Sequence, residues 1–264
     1  MSAAGAPFTA LVLAGSRGAV DPVARHAGLP HKAFVPIAGT PMLHWVLAAL
    51  RESPSVGRIA VCLDEPELLA GLPDSGPGDL GARIVAAPTG VTPGASVLRA
   101  IETLPDPWPL LVTTADHPLL TAAMVEHFCT GVPGDADVGV AVAPASLIRR
   151  SHPDSVRTFY RFAAEAYSGC NLFCLRTPAA KRAVAFWSRM ERHRKRPWRL
   201  ISAIGPVTLC RFLLGRLTLE RAMERLSGLV GATVRAVEMP FAEAAMDVDK
   251  PSDLALAESI LRRR

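Results

Sequence analysis

An α/β fold with a mostly parallel sheet held between helices is what this sequence predicts, on three observations. Leu11, Val12 and Leu13 form a short apolar run of the kind buried on both faces of a parallel sheet. Leu43, Val46, Leu47 and Leu50 recur at helical spacing, so a helix lays one face on that sheet. A chain of 264 residues with 50% apolar content is enough for one sizeable core. We therefore expect one domain spanning 1–264, with a basic helical insert at about 180–231.

The first strand runs into Leu13-Ala14-Gly15-Ser16-Arg17-Gly18, where Gly15 and Gly18 bracket a tight turn. Such a turn directs successive backbone N–H groups at a phosphate chain, and glycine keeps side chains out of the way. Arg17 adds a forked positive donor. Two glycines after a strand are more often an ordinary turn, so the loop gains meaning only in combination with Lys32 and the later acidic segments.

Lys32 opens the next unit, ahead of an apolar segment with Phe34, Val35 and Ile37. Thr40-Pro41 reads as the cap and first turn of the helix holding Leu43 to Leu50. Next comes Leu110 to Thr114, an apolar strand that ends in Asp116, with Thr121 capping a helix that carries Met124, Val125 and Phe128. Ligands of open α/β sheets bind at the carboxyl ends of strands, which is where this carboxylate falls. His117 is a candidate second ligand but is read as a rim residue, because neighbours along a strand end point apart. Near the end of the chain, alternation puts Asp247 and Asp249 on one side of an extended segment, before Pro251 and a helix with Leu254, Ala257 and Leu261. Either carboxylate can face a metal, leaving the other behind it or in solvent.

In order and character these segments, LVLAGSRG, HKAFVPIAGTPML, TTADHPLL and DVDKPSDL, resemble the nucleotidyltransferase family with the molybdenum cofactor guanylyltransferase-like NTP transferase domain. The resemblance implies a three-layer αβα, Rossmann-like sheet of glycosyltransferase-A type. It also implies that the backbone of Leu13, Ala14, Gly15, Ser16, Arg17 and Gly18, with Lys32, holds a triphosphate, and that Asp116 and Asp249 bind Mg2+. GVTPGASVLRAI (90–101) resembles the stretch that contacts base and ribose, through Gly94 and Ser96. YSGCNLFCL (167–175) resembles the strand lining the acceptor site, where Asn171 meets the substrate. The chain departs from the family pattern in a shortened glycine loop and in His31, which stands where a proline precedes the lysine.

The implied activity joins an NMP, from GTP or CTP, to a phosphorylated small-molecule or lipid-like acceptor with release of pyrophosphate. Two alternatives stand beside it. A nucleotide-sugar-dependent glycosyltransferase would carry Asp-x-Asp at the strand end, where this chain has Asp116-His117-Pro118. A non-catalytic nucleotide-sensing or membrane-surface protein would explain the altered loop and the cationic insert.

Charge is local. Eight positive side chains and Glu191 lie between Lys181 and Arg199, a net of +7 against +5 for the whole chain, so the rest carries −2. One cationic patch on a nearly neutral body suits an anionic partner. Trp187 and Trp198 lie within it, on either side of the run Arg189 to Arg196, and the apolar face of Leu219, Ala222, Met223, Leu226 and Val230 comes after it. A solvated helix face covering the fold and a peripheral membrane contact through 181–231 both fit; no nucleic-acid-reading motif is present. Five unpatterned cysteines and the lack of a leader-like or spanning apolar stretch point to a reduced, cytoplasmic protein. Surface connections are expected at 71–81 and 131–137.

Overall fold

The computed structural model describes residues 7–15, 21–71, 84–192 and 205–264. Its strands are β1 (Phe8–Leu13), β2 (Pro36–Ile37), β3 (Thr40–Pro41), β4 (Val56–Cys62), β5 (Ile84–Ala87), β6 (Leu110–Thr114), β7 (Val138–Pro144), β8 (Tyr160–Arg161), β9 (Ala166–Leu175) and β10 (Val234–Glu238). Its helices are α1 (Pro22–Ala27), α2 (Met42–Glu52), α3 (Pro93–Thr103), α4 (Ala122–Gly131), α5 (Ala145–Ser151), α6 (Ala180–Arg192), α7 (Pro206–Leu213), α8 (Leu219–Val230) and α9 (Pro251–Leu261).

Eight strands form one sheet in the order β10-β7-β9-β6-β1-β4-β5, with β8 paired to β9 off that path. All neighbours run parallel except those of β9, which lies antiparallel between β6 and β7. The mostly parallel α/β architecture is thus borne out. From β1 the chain first builds outward to β4 and β5, then returns to place β6 on the other side of β1. Strand order reverses there, and sheets of this kind open a crevice at that point.

The strand pattern explains the layers. Ala10 and Val12 face a core with Leu43, Val46, Leu47 and Leu50 of α2 and Met124, Val125 and Phe128 of α4, whereas Leu11 faces a second core with Val97 and Ala100 of α3 and Val184 of α6. A strand sandwiched this way can hold no polar side chain at Leu11 or Val12, hence the unbroken apolar run.

One local reading changes. Thr40 is not the cap of α2: it pairs with Ile37 in the small hairpin β2–β3, and Pro41 precedes a helix that starts at Met42 without a side-chain cap. Ala38 and Gly39, with φ of 51° and 81°, form the turn between them, a backbone shape that commits Thr40 to pairing. Of the region near 180–231, residues 180–192 and 205–231 are described. Within it α6 packs along α3 and α8 packs on β10, both on the second core. Trp187 is turned inward, its ring centroid 5.7 Å from that of Phe173 on β9. Trp198, Arg194, Lys195, Arg196 and Arg199 lie outside the described residues, as does nearly all of the 71–81 connection. Among the described residues no helix is long and apolar enough to cross a membrane. Cys62, Cys129, Cys170 and Cys174 are buried free thiols, and Cys210 is an exposed one.

Candidate active site

The parallel strands β1, β4, β5 and β6 all end on one edge of the sheet, and a cleft of about 310 Å³ opens there. Its floor is the end of β1 and the start of the loop beyond it, Leu13, Ala14 and Gly15; one wall is Gly90 to Pro93 and Ser96, and the other carries Lys32, Asp116 and Asp249. Register fixes the floor: Leu13 pairs with Thr114 on one side and Cys62 on the other. Ala115 N donates to Leu13 O at 3.0 Å and Ala14 N to Cys62 O at 2.9 Å, so the chain beyond each strand is still tied to its neighbour.

Three charged groups separated widely in sequence converge in this cleft. Lys32 Nζ donates to Asp116 Oδ2 at 2.7 Å and to Asp249 Oδ1 at 3.0 Å. A 3-10 turn, Lys32–Phe34, aims the lysine inward, and Val248 N donates to Asp116 O at 2.9 Å, which holds the Asp249 arm against the end of β6. Burial alone would raise the pKa of Asp116, but the adjacent ammonium overrides it and keeps the carboxyl below its ordinary value. Lys32 responds in kind: burial pulls its pKa down, and the two carboxylates raise it overall. Asp249 stays open to solvent, its side chain 66% exposed.

The remaining expected residues divide. Ser96 lines the cleft, and its Oγ accepts the Gly90 N–H at 2.9 Å. Gly94 faces away from it: a Cβ there would sit 2.9 Å from Ser188 Cβ, so this glycine lets α3 and α6 pack closely. Asn171, with φ of 46°, donates to Asp247 Oδ2 at 3.0 Å. Ser16, Arg17 and Gly18 lie outside the described residues. His117 is not a rim residue. The chain turns at Ala115-Asp116, which ends strand alternation, and His117 is 1% exposed with Nε2 at 3.3 Å from Glu243 O. Burial holds its pKa down at about 4, so it is neutral near pH 7.

Other lining residues were not foreseen. His31, next to Lys32, is buried and lies 3.3 Å from Glu65. Thr92 caps α3 through Ala95 N at 3.2 Å, with Pro93 in the first turn, so the positive end of the α3 dipole meets the cleft. Thr-Pro before an apolar periodic run is a readable helix start, and that signal could have found the wall. Cys62 is no nucleophile, because burial and Asp64 push its thiol up to about 12.

Gly90 shapes this wall sterically. A Cβ at that position would lie 2.7 Å from Ala95 Cβ and from Ser96 N. Gly90→Ala is expected to cost about 1–3 kcal/mol of stability and to weaken nucleotide binding, as overpacking moves the loop. Thermal unfolding with a nucleotide titration checks it, and an unchanged melting temperature would contradict the close packing.

Comparisons with known proteins bear on this cleft. A hypothetical transferase from Thermus thermophilus superposes with a TM-score of 0.78 at 29% identity, covering 94% of this chain and 99% of that one. A CMP:2-keto-3-deoxy-manno-octonic acid synthetase complexed with CTP gives 0.60 at 13% identity, covering 98% and 99%. The 2-C-methyl-D-erythritol 4-phosphate cytidylyltransferase from Thermus thermophilus gives 0.54 at 21%, covering 97% and 99%. At those identities the last two establish likeness of fold alone. No curated protein matches the sequence. The model of the MobA-like NTP transferase domain matches residues 10–195, a span that contains most of β1, Lys32 and Asp116. The chain thus belongs to the MobA-like NTP transferase domain family, whose members are nucleotidyltransferases.

Proposed function

We propose that the protein transfers an NMP from GTP or CTP to a phosphorylated acceptor, releasing pyrophosphate, with Mg2+ held by Asp116 and Asp249. One observation carries this reading: a single ammonium, Lys32 Nζ, bridges two carboxylates from distant segments in the strand-end cleft of an NTP transferase fold. Two carboxylates drawn to one point already converge on a cation. Asp116 Oδ1 is buried and has no hydrogen-bond partner, which leaves one hard oxygen ready for a metal. Among the described residues no three His, Cys, Asp or Glu side chains gather into a metal cage. Magnesium fits that arrangement, since it takes one or two carboxylates and completes its shell with substrate phosphates and water.

In the proposed reaction an acceptor phosphate oxygen attacks the α-phosphorus in line. A new P–O bond forms as the bond to the β-phosphate bridging oxygen breaks, and that oxygen leaves with pyrophosphate. Phosphoryl chemistry of this kind asks for positioning and charge neutralisation more than bond-making by the protein. In this reading the backbone of Leu13, Ala14 and Gly15 supports the triphosphate; a Cβ at Gly15 would meet nothing closer than 3.4 Å, so packing does not demand glycine there and close ligand approach remains its use. Lys32 moves its charge onto the phosphates when they arrive. When bound, the metal screens the repulsion between α-phosphate and acceptor. An acceptor phosphate is already ionised at neutral pH, so no general base is required. The buried, neutral His117 and the protonated Cys62 agree with that. Asn171, beside Asp247, is the acceptor-side residue.

The test is pyrophosphate release with each of ATP, GTP, CTP and UTP, Mg2+ and a panel of phosphorylated acceptors. Release is expected with GTP or CTP and depends on the acceptor. Turnover of a nucleotide-sugar instead, or nucleotide binding without release, would replace this reading with glycosyl transfer or nucleotide sensing.

A further inference from the structure

Asp249 has a weakness in the proposed site. Its carboxylate is two-thirds exposed, and the side chain it pairs with, Lys32, is the group proposed to leave for the phosphates. What aims it must therefore come from the backbone on either side.

That backbone is clamped by Arg157, a side chain 8% exposed in the loop after α5. Its Nη1 donates to Asp247 Oδ1. Its Nη2 donates to Asp247 O at 2.8 Å and stands 3.6 Å from Asp253 Oδ1. Asp253, near the start of α9, turns its other oxygen back to accept the N–H groups of Asp249 at 3.1 Å and Lys250 at 3.2 Å. One guanidinium thus fixes the residue two places before Asp249, and through Asp253 it reaches the amides of Asp249 itself and of the next residue. The same cation offsets Asp247, a third carboxylate whose pKa is raised by burial and by the charges of Asp249 and Asp116.

We propose that Arg157 is a positioning residue that orients Asp249 toward the nucleotide-bound cation by way of Asp247 and Asp253. The proposal rests on the functional reading above. A planar fork is what the geometry uses, since three acceptors on two residues are spanned at once; a lysine would keep the charge and lose the span. The loop has a second prong that supplies an internal control. His152 Nε2 lies 2.8 Å from Glu243 Oε1, which ties the loop to the 3-10 turn Ala242–Ala245 without touching residues 247–253.

The experiment measures Mn2+ affinity by electron paramagnetic resonance in the presence of CTP or GTP, alongside thermal unfolding, for the wild type, Arg157→Lys, Arg157→Met, Asp253→Asn and His152→Asn. Removing the partners that orient a metal ligand is expected to weaken Mn2+ binding about tenfold to a hundredfold in Arg157→Lys, Arg157→Met and Asp253→Asn. Nucleotide affinity measured without metal stays within about threefold, because the glycine loop and Lys32 are untouched. His152→Asn is expected to lower the melting temperature and leave Mn2+ affinity as in the wild type. If Arg157→Met does not fold, Arg157→Lys and Asp253→Asn carry the test. Arg157 variants that melt earlier yet bind Mn2+ like the wild type would overturn the positioning role and leave the functional reading in place. A wild type that binds no Mn2+ with either nucleotide would overturn the functional reading, and the proposal with it.

Discussion

Asp116→Ala is expected to reduce pyrophosphate release by at least about three orders of magnitude, or about 4 kcal/mol of barrier. The carboxylate supplies two things at once: an oxygen that pairs with Lys32 and a second, buried oxygen with no other partner. Truncation removes both, and Asp249 alone is too exposed to replace them. The fold is expected to survive, because Lys32 keeps Asp249 as a counter-charge and Asp116 lies beyond the last paired residue of β6. Circular dichroism, thermal unfolding and pyrophosphate release on the same preparation check this. A folded Asp116→Ala variant that releases pyrophosphate at a near-normal rate would remove Asp116 from the metal site.

Lys32→Ala is expected to raise the KM for the nucleotide and to lower kcat/KM by at least about a hundredfold, close to 3 kcal/mol. Without nucleotide it has a second signature. Loss of the ammonium leaves Asp116 and Asp249 facing each other without a cation, which is expected to cost about 2 kcal/mol, less than for a fully buried pair because Asp249 is solvated. A divalent cation then becomes the natural replacement. Added Mg2+ is therefore expected to raise the melting temperature of Lys32→Ala more than that of the wild type, since a ligand that binds only the folded state stabilises it. Unchanged kinetics and an equal response to Mg2+ would mean that the lysine is only a solvated side chain.

The fold was legible because its strongest signals are local. Leu11 to Leu13 need apolar neighbours on both faces, and the spacing from Leu43 to Leu50 needs a helix, whatever lies elsewhere in the chain. Asp116 was legible for a related reason: it sits just beyond β6, and parallel strands bring such positions to one edge, whereas Lys32 and Asp249 precede the elements beside them and were joined to it by the resemblance. What failed to show was whatever depends on distant packing. Thr40-Pro41 has the composition of a helix start, yet the left-handed turn at Ala38-Gly39 commits Thr40 to a hairpin. Gly94 looks like a ligand-facing glycine and is small for the sake of Ser188, 94 residues later. Arg157 has no pattern around it at all; its partners lie about 90 residues on, and only the folded chain brings them together.

The most direct measurement is anomalous diffraction from crystals grown with Mn2+ and a non-hydrolysable GTP or CTP analogue. A manganese peak is expected within about 2.5 Å of carboxylate oxygens of both Asp116 and Asp249. Lys32 Nζ should then have moved from the carboxylates to a phosphate oxygen. A triphosphate bound away from this edge of the sheet, or a metal that touches neither aspartate, would contradict the assignment.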